Sequence, residues 1–174
     1  MIELVAVGEG VGLERLEALA ADLARIFRSP CRVLDVVLDV KFAHNPARGQ
    51  YHSTAILERL QAVGSNGKSR LLGVTAVDLF VPIFTFVFGE GQVGGNCALA
   101  SLYRLSEEHY GLPSDEAKLR ERLTKEAVHE LGHTFGLRHC EDWQCVMASS
   151  HSVELVDVKS AEFCRECTRV VRGA

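Results

Sequence analysis

Apolar and polar positions along this chain fall into blocks that change period. Ile2 to Val7 is a short apolar run stopped by Gly8, Gly10 and Gly12, which predicts a first strand. Leu13, Leu16, Leu19, Ala20, Leu23 and Ile26 then recur at helical spacing, with Glu14, Arg15, Asp22 and Arg25 opposite them. Ser29-Pro30 ends that helix, and residues 31–40 read as a second strand. A polar loop from His44 to Gly49 leads into a helix at 52–63, closed by Gly64-Ser65-Asn66-Gly67. Leu71 to Phe80 and Ile83 to Phe88 predict strands three and four. Gly91 to Asn96 predicts a turn, and Cys97 to Leu105 a fifth extended segment. The strand–helix–strand opening implies a mixed, twisted sheet of about five strands with helices packed on it, an α+β single domain spanning 1–174.

The next block is one long helix. Ser114 is its expected N-cap, with Pro113 before it and Asp115 and Glu116 in the first turn, where the helix dipole favours carboxylates. Leu119, Leu123, Ala127, Leu131 and Phe135 hold an apolar stripe. Lys118, Arg120, Glu121, Arg122, Lys125 and Glu126 are expected to cover its exposed side. Gly136 suits the C-terminal cap, where a left-handed residue is needed.

Composition narrows the class. The 174 residues are 47% hydrophobic and 24% charged, with net charge -4. That excludes disorder, and it excludes a dedicated nucleic-acid binder, since there is no basic excess to neutralise phosphates. The first residues carry Glu3 in place of a basic leader, so neither a signal peptide nor a pro-segment is expected. The apolar run Leu79 to Phe88 is broken by Pro82 and Thr85 and falls short of the ~18 residues of a membrane span. No membrane partner is expected, and the expected location is cytoplasmic. In that compartment clustered cysteines are more often metal ligands than disulfides. Cys31 and Cys97 lie in apolar strand patterns and read as buried bystanders.

The chemistry lies in the long helix and after it. His129-Glu130-Leu131-Gly132-His133 places two imidazoles four residues apart on one helix face, within reach of one metal ion. Gly136 allows a sharp turn, and His139 follows as a third ligand, completing HExxHxxGxxH with a fourth position left for water. By this chain's composition HExxH alone arises by chance about once in 40 such sequences, and the whole pattern roughly once in 10,000. Cys140, Cys145, Cys164 and Cys167 form a second set, C-x4-C-x18-C-x2-C, the architecture of a closed tetrahedral zinc site. A redox C-x2-C pair or two disulfides remain as other readings of those four cysteines. Residues 139–174 hold little apolar material, so they read as a small subdomain stapled by this metal onto the sheet-and-helix part, 1–138.

Met147 follows Cys145 by two residues. With that methionine the chain resembles the metzincins, metallopeptidases in which HExxHxxGxxH precedes a tight turn with a methionine beneath the histidines. Cysteines threaded around the methionine are similar to those of the archaemetzincins. His129, Glu130, His133, Gly136, His139, Cys140, Cys145, Met147, Cys164 and Cys167 all match that family's pattern. One feature departs from some metzincins: no tyrosine follows Met147.

The resemblance implies a zincin fold and a zinc-dependent peptidase acting on peptides or proteins. It implies two zinc ions: a catalytic one on His129, His133 and His139, and a structural one on the four cysteines. Glu130 is the expected general base and acid for a zinc-activated water. Gly136 and Met147 are expected to support the site. In metzincins a sheet edge pairs with the substrate, and Gly94 to Leu105 is the segment expected to do so here. Asp78 and His109 are weighed as cleft lining, and His44, His52 and His151 as surface histidines. Two other function classes stand beside the peptidase: a catalytically silent zinc-binding module and a metal-dependent hydrolase of non-peptide amides.

Overall fold

The computed structural model describes residues 1–63 and 69–173. The expected closing turn at Gly64–Gly67 lies outside the described residues. The chain begins with β1 (Ile2–Val7), α1 (Leu13–Phe27) and β2 (Cys31–Leu38), as the hydrophobic pattern requires. Two short strands, β3 (His44–Asn45) and β4 (Gln50–His52), precede α2 (Ser53–Gln61). Then come β5 (Arg70–Thr75), β6 (Leu79–Phe80), β7 (Gly89–Gly91), β8 (Cys97–Ser101) and the long α3 (Glu116–Thr134). Two short helices, α4 (Val153–Val158) and α5 (Arg165–Gly173), complete the chain.

Five strands form the main sheet in the order β2-β1-β5-β8-β7, while β3, β4 and β6 form a small separate one. All pairs in the main sheet are parallel except β7 with β8. Both faces of the sheet are covered, which is why its inner strands are mostly apolar on both sides; the buried Glu3 of β1 is an exception. Side chains alternate between two cores. Leu4, Leu72 and Ala98 face α1 and α3, and Val5, Leu71 and Leu99 face α2.

Several expectations are corrected. Leu71 to Phe80 is two strands with a bend between them, and Ile83 to Phe88 is a loop. This loop keeps one antiparallel bridge, Val87 to Leu79, and side chains meet other backbone needs: Arg48 donates to the carbonyls of Phe84 and Thr85, and Gln50 to that of Thr85. The fifth strand ends at Ser101. The N-cap of α3 is Asp115, one residue after Ser114; its carboxylate accepts from the Lys118 N–H at 3.0 Å. Helix α4 lies in a stretch where no helix was expected. Cys97 is buried, but Cys31 is only half-buried; burial pushes both thiols up to about 11.

The largest correction concerns the face of α3. Arg122, Lys125 and Glu126 are buried, although their spacing assigns them to solvent. The C-terminal segment covers them. Arg122 forms a two-bond fork with Asp157 of α4 at 2.6 and 2.7 Å and also meets Glu107 at 2.8 Å. Lys125 donates to the Asp157 carbonyl, and Glu126 pairs with Lys159. Buried charges survive only when paired, and here the chain after residue 139 supplies two of the ionic partners, Asp157 and Lys159, beside Glu107 and Glu121. Among the described residues no helix is long and apolar enough to cross a membrane.

Candidate active site

The last two turns of α3 carry His129, Glu130 and His133, all buried. Their Nε2 atoms, on His129 and His133, stand 3.2 Å apart. Each ring is fixed from behind: His129 Nδ1 lies 2.8 Å from the Val146 carbonyl, and His133 Nδ1 lies 2.9 Å from that of Leu137. A carbonyl only accepts, so Nδ1 carries the proton and each Nε2 lone pair faces the shared space. Gly136, at φ +86, reverses the chain beyond α3. His139 thereby returns with its ring centroid 5.2 Å from both of the others.

These three residues fit a metal ion. Their ligand atoms lie within 4.8 Å of one another, and arms of about 2.0–2.1 Å would set tetrahedral neighbours roughly 3.3 Å apart. Burial, first of all, holds the three imidazoles below their ordinary pKa, with the Lys159 charge adding to it. All three rings are therefore driven towards the neutral form, the one that can accept a metal. Glu130 is the opposite case. Burial, reinforced by the Glu126 charge, pushes its carboxyl well above the ordinary range.

The four cysteines also converge, with ligand atoms within 4.8 Å. Cys140 and Cys164 sulfurs are 3.8 Å apart, far beyond a disulfide and equal to the edge of a tetrahedron with arms of about 2.3 Å. Backbone N–H groups of Met147 and Cys164 point at the Cys145 sulfur, at 3.4 and 3.3 Å. The Cys164 thiol is held below its ordinary value, first by a backbone hydrogen bond at Cys167. The two clusters meet in sequence, since His139 and Cys140 are consecutive.

Met147 is fully buried and packs on Gly132 of α3, where an added Cβ would overlap its sulfur. Its carbonyl accepts from the Cys140 N–H at 2.9 Å. The turn that carries Met147 is thus tied to both clusters.

A cavity of about 420 Å³ opens over the histidines. Val81, Phe84, Phe86 and Phe88 give it an apolar lining; Ser149, Ser150, His151, Glu126 and Lys159 give it a polar one. Its sheet edge is β7, and this corrects the expected substrate strand: the segment Gly94 to Leu105 contains β8, which is enclosed between β5 and β7. Gly89 and Gly91 of β7 lie directly on α3. An added Cβ at Gly89 would overlap the Leu99 carbonyl and crowd Glu130, and one at Gly91 would overlap the Glu130 carbonyl. Between them Glu90 accepts from the hydroxyls of Ser53 and Thr54 at the start of α2.

Asp78 and His109 do not line the cavity. Asp78 is forked to Arg104 at 2.7 Å, and His109 packs between the rings of Tyr103 and Tyr110. His44 is exposed and His52 half-buried, while His151 is exposed at the cavity rim. Glu90, Glu126 and Lys159 escaped the sequence reading. Only Glu90 had a local signal, its two flanking glycines.

Three histidines around one point, a buried carboxyl beside them and a free sheet edge over the cleft define a zinc metallopeptidase. Known proteins agree. The archaemetzincin of Methanocaldococcus jannaschii is 41% identical over 156 residues, 90% of this chain and 84% of that protein. That of Archaeoglobus fulgidus is 41% identical over 165 residues, 93% of this chain and 94% of that protein. The chain belongs to Peptidase family M54, whose model matches residues 19–173. Among solved structures, the zinc-dependent peptidase of Methanocorpusculum labreanum superposes with a TM-score of 0.90 at 26% identity, covering 98% of this chain and 100% of that one. The Archaeoglobus fulgidus archaemetzincin, complexed with malonate, does so with 0.82 at 38% identity, covering 98% and 99%.

Proposed function

We propose that the chain hydrolyses peptide bonds with Glu130 as general base and acid, His129, His133 and His139 holding the catalytic zinc, and Cys140, Cys145, Cys164 and Cys167 holding a second, structural zinc. The observation that carries this reading is the placement of Glu130 in the same cleft as three converging imidazoles. When bound there, zinc supplies Lewis acidity, polarising the scissile carbonyl and lowering the pKa of water. The chain's own part is positional. Val146 and Leu137 carbonyls orient His129 and His133, and Gly136 brings in His139. The apolar lining contributed by residues 81–88 limits water in the cleft. The Glu130 carboxylate takes the proton of the attacking water and delivers it to the leaving amine. β7 offers its unpaired backbone to an extended peptide, which would add as a strand.

Four thiolates close the second site completely, so it serves architecture: it anchors residues 139–174, including the Met147 turn, to α3.

A peptide-library digest with zinc-loaded protein and its Glu130→Gln variant tests the mechanism. The variant should keep two zinc ions per chain and its fold while kcat falls about 10²–10⁴-fold. Equal cleavage by both proteins would remove Glu130 as the base. No cleavage by the zinc-replete parent would favour the silent module.

A further inference from the structure

Lysine is seldom fully buried, because its ammonium gives up hydration that only close partners restore. The Lys159 side chain is 1% exposed, yet it lies in the wall of the cleft and in neither apolar core. Among the described residues lining that cleft it is the one lysine or arginine. Its Nζ stands 3.0 Å from Glu126 Oε1, one helical turn before Glu130, and donates to the Ala148 carbonyl at 3.4 Å, next to Met147. Three pieces of the chain therefore hold one cation: α3, the Met147 turn and the segment after α4.

Stability alone is a poor reason for such a pair, since apolar residues of similar volume usually serve as well or better. Its place offers another. Lys159 and Glu126 line the same cleft as His129, Glu130, His133 and His139, and the ammonium is held there by acceptors from two other parts of the chain. The cation is thus fixed beside the place where the reaction would occur.

We propose that Lys159, clamped by Glu126 and the Ala148 carbonyl, is the fixed cation of the cleft, favouring the negative charge that amide hydrolysis builds on the substrate's carbonyl oxygen. This rests on the peptidase reading and adds a residue to it. A cation already oriented in a site shielded from water needs no reorganisation as charge develops, and its field reaches further than it would in bulk solvent. Lys159 touches no reacting atom in this role. It is a positioning residue that sets the field in which they react.

The single change Lys159→Met strands the Glu126 charge and can unfold the chain. The decisive variant is therefore the double one, Glu126→Gln with Lys159→Met, which removes both charges at nearly constant volume. Zinc-loaded, it should melt cooperatively, and its cobalt-substituted histidine site should keep the parent's absorption spectrum. KM should stay within about threefold, while kcat falls about tenfold or more. A phosphinic peptide, whose anionic tetrahedral phosphorus imitates the charged oxygen, should bind about tenfold more weakly or worse by calorimetry. An uncleavable neutral N-methyl-amide peptide should keep its affinity. Parental kcat and parental phosphinic affinity in the folded double variant would overturn the proposal and leave the pair a structural clamp. If the parent cleaves no peptide, the peptidase reading fails, and the phosphinic comparison still reads the cation independently.

Discussion

The same burial moves the pKa of Glu130 up and those of the three histidines down, and favours the neutral form of each. A carboxylate loses hydration and is pushed towards its neutral form, while an imidazole is pushed towards its neutral form by losing a proton. For the histidines this is an asset, because only neutral rings bind metal. For Glu130 it sets the acid side of the pH profile. A protonated Glu130 cannot accept the water's proton, so activity is lost as pH falls through its pKa. A bound zinc ion would add a positive charge that acts against burial, so the test lies in the comparison with the variant and not in the position of the limb. A pH–rate profile of kcat/KM on the zinc-loaded protein should show an acid limb that is absent from the residual rate of Glu130→Gln. The same limb in both proteins would contradict Glu130 as the titrating group.

At the scale of elements, α3 is covered on every side from Arg122 onward, by sheet and helix α1 on one flank and by the C-terminal segment on another. The fork between Arg122 and Asp157 is the clearest tie across that second flank. Asp157→Asn should lower stability by about 1.5–3 kcal/mol at neutral pH, the range for a charged hydrogen bond. The sign of its pH dependence follows from Arg122, which holds the Asp157 carboxyl below its ordinary 3.8. The carboxylate's contribution is present above 3.8 and disappears as pH falls through the lower folded value. Melting curves of parent and variant should thus differ near pH 7 and converge towards pH 3.

This flank also marks how far sequence reading reached. The opening strand–helix–strand unit, the long helix and the two groups of residues that converge, three histidines and four cysteines, were legible, because periodicity and spacing are local properties of the chain. Burial of Arg122, Lys125 and Glu126 was not. A helix pattern reports one apolar stripe, whereas Arg122, Lys125 and Glu126 are covered by a segment more than thirty positions away, which brings Asp157 to Arg122 and Lys125 and Lys159 to Glu126. The loop 81–88 was misread for a related reason. Its apolar residues serve a cleft lining, and the side-chain donors to its carbonyls, Arg48 and Gln50, lie far upstream. Sheet order, which made β7 and not β8 the edge, depends on a crossover no local pattern contains.

For the whole molecule, the sheet places β7 over α3, and the C-terminal segment closes the far side. Thiolate ligands hold zinc more tightly than imidazoles do. Stepwise chelation should therefore empty the histidine site first, with activity falling while the fold persists, and only then the cysteine site, with unfolding. Metal analysis alongside circular dichroism would show the order, and early loss of the cysteine-bound ion would contradict it.

The peptide bond between His139 and Cys140 has a consequence for synthesis. Histidines 129, 133 and 139 leave the ribosome before the sulfurs at 164 and 167 that complete the neighbouring cage. Until those sulfurs arrive, His139 has no anchored neighbour and the Met147 turn no staple. A nascent chain stalled before Cys164 should surrender zinc to a chelator that a chain extended past Cys167 resists. The histidine site would thus gain its support only after the chain has been made well beyond it.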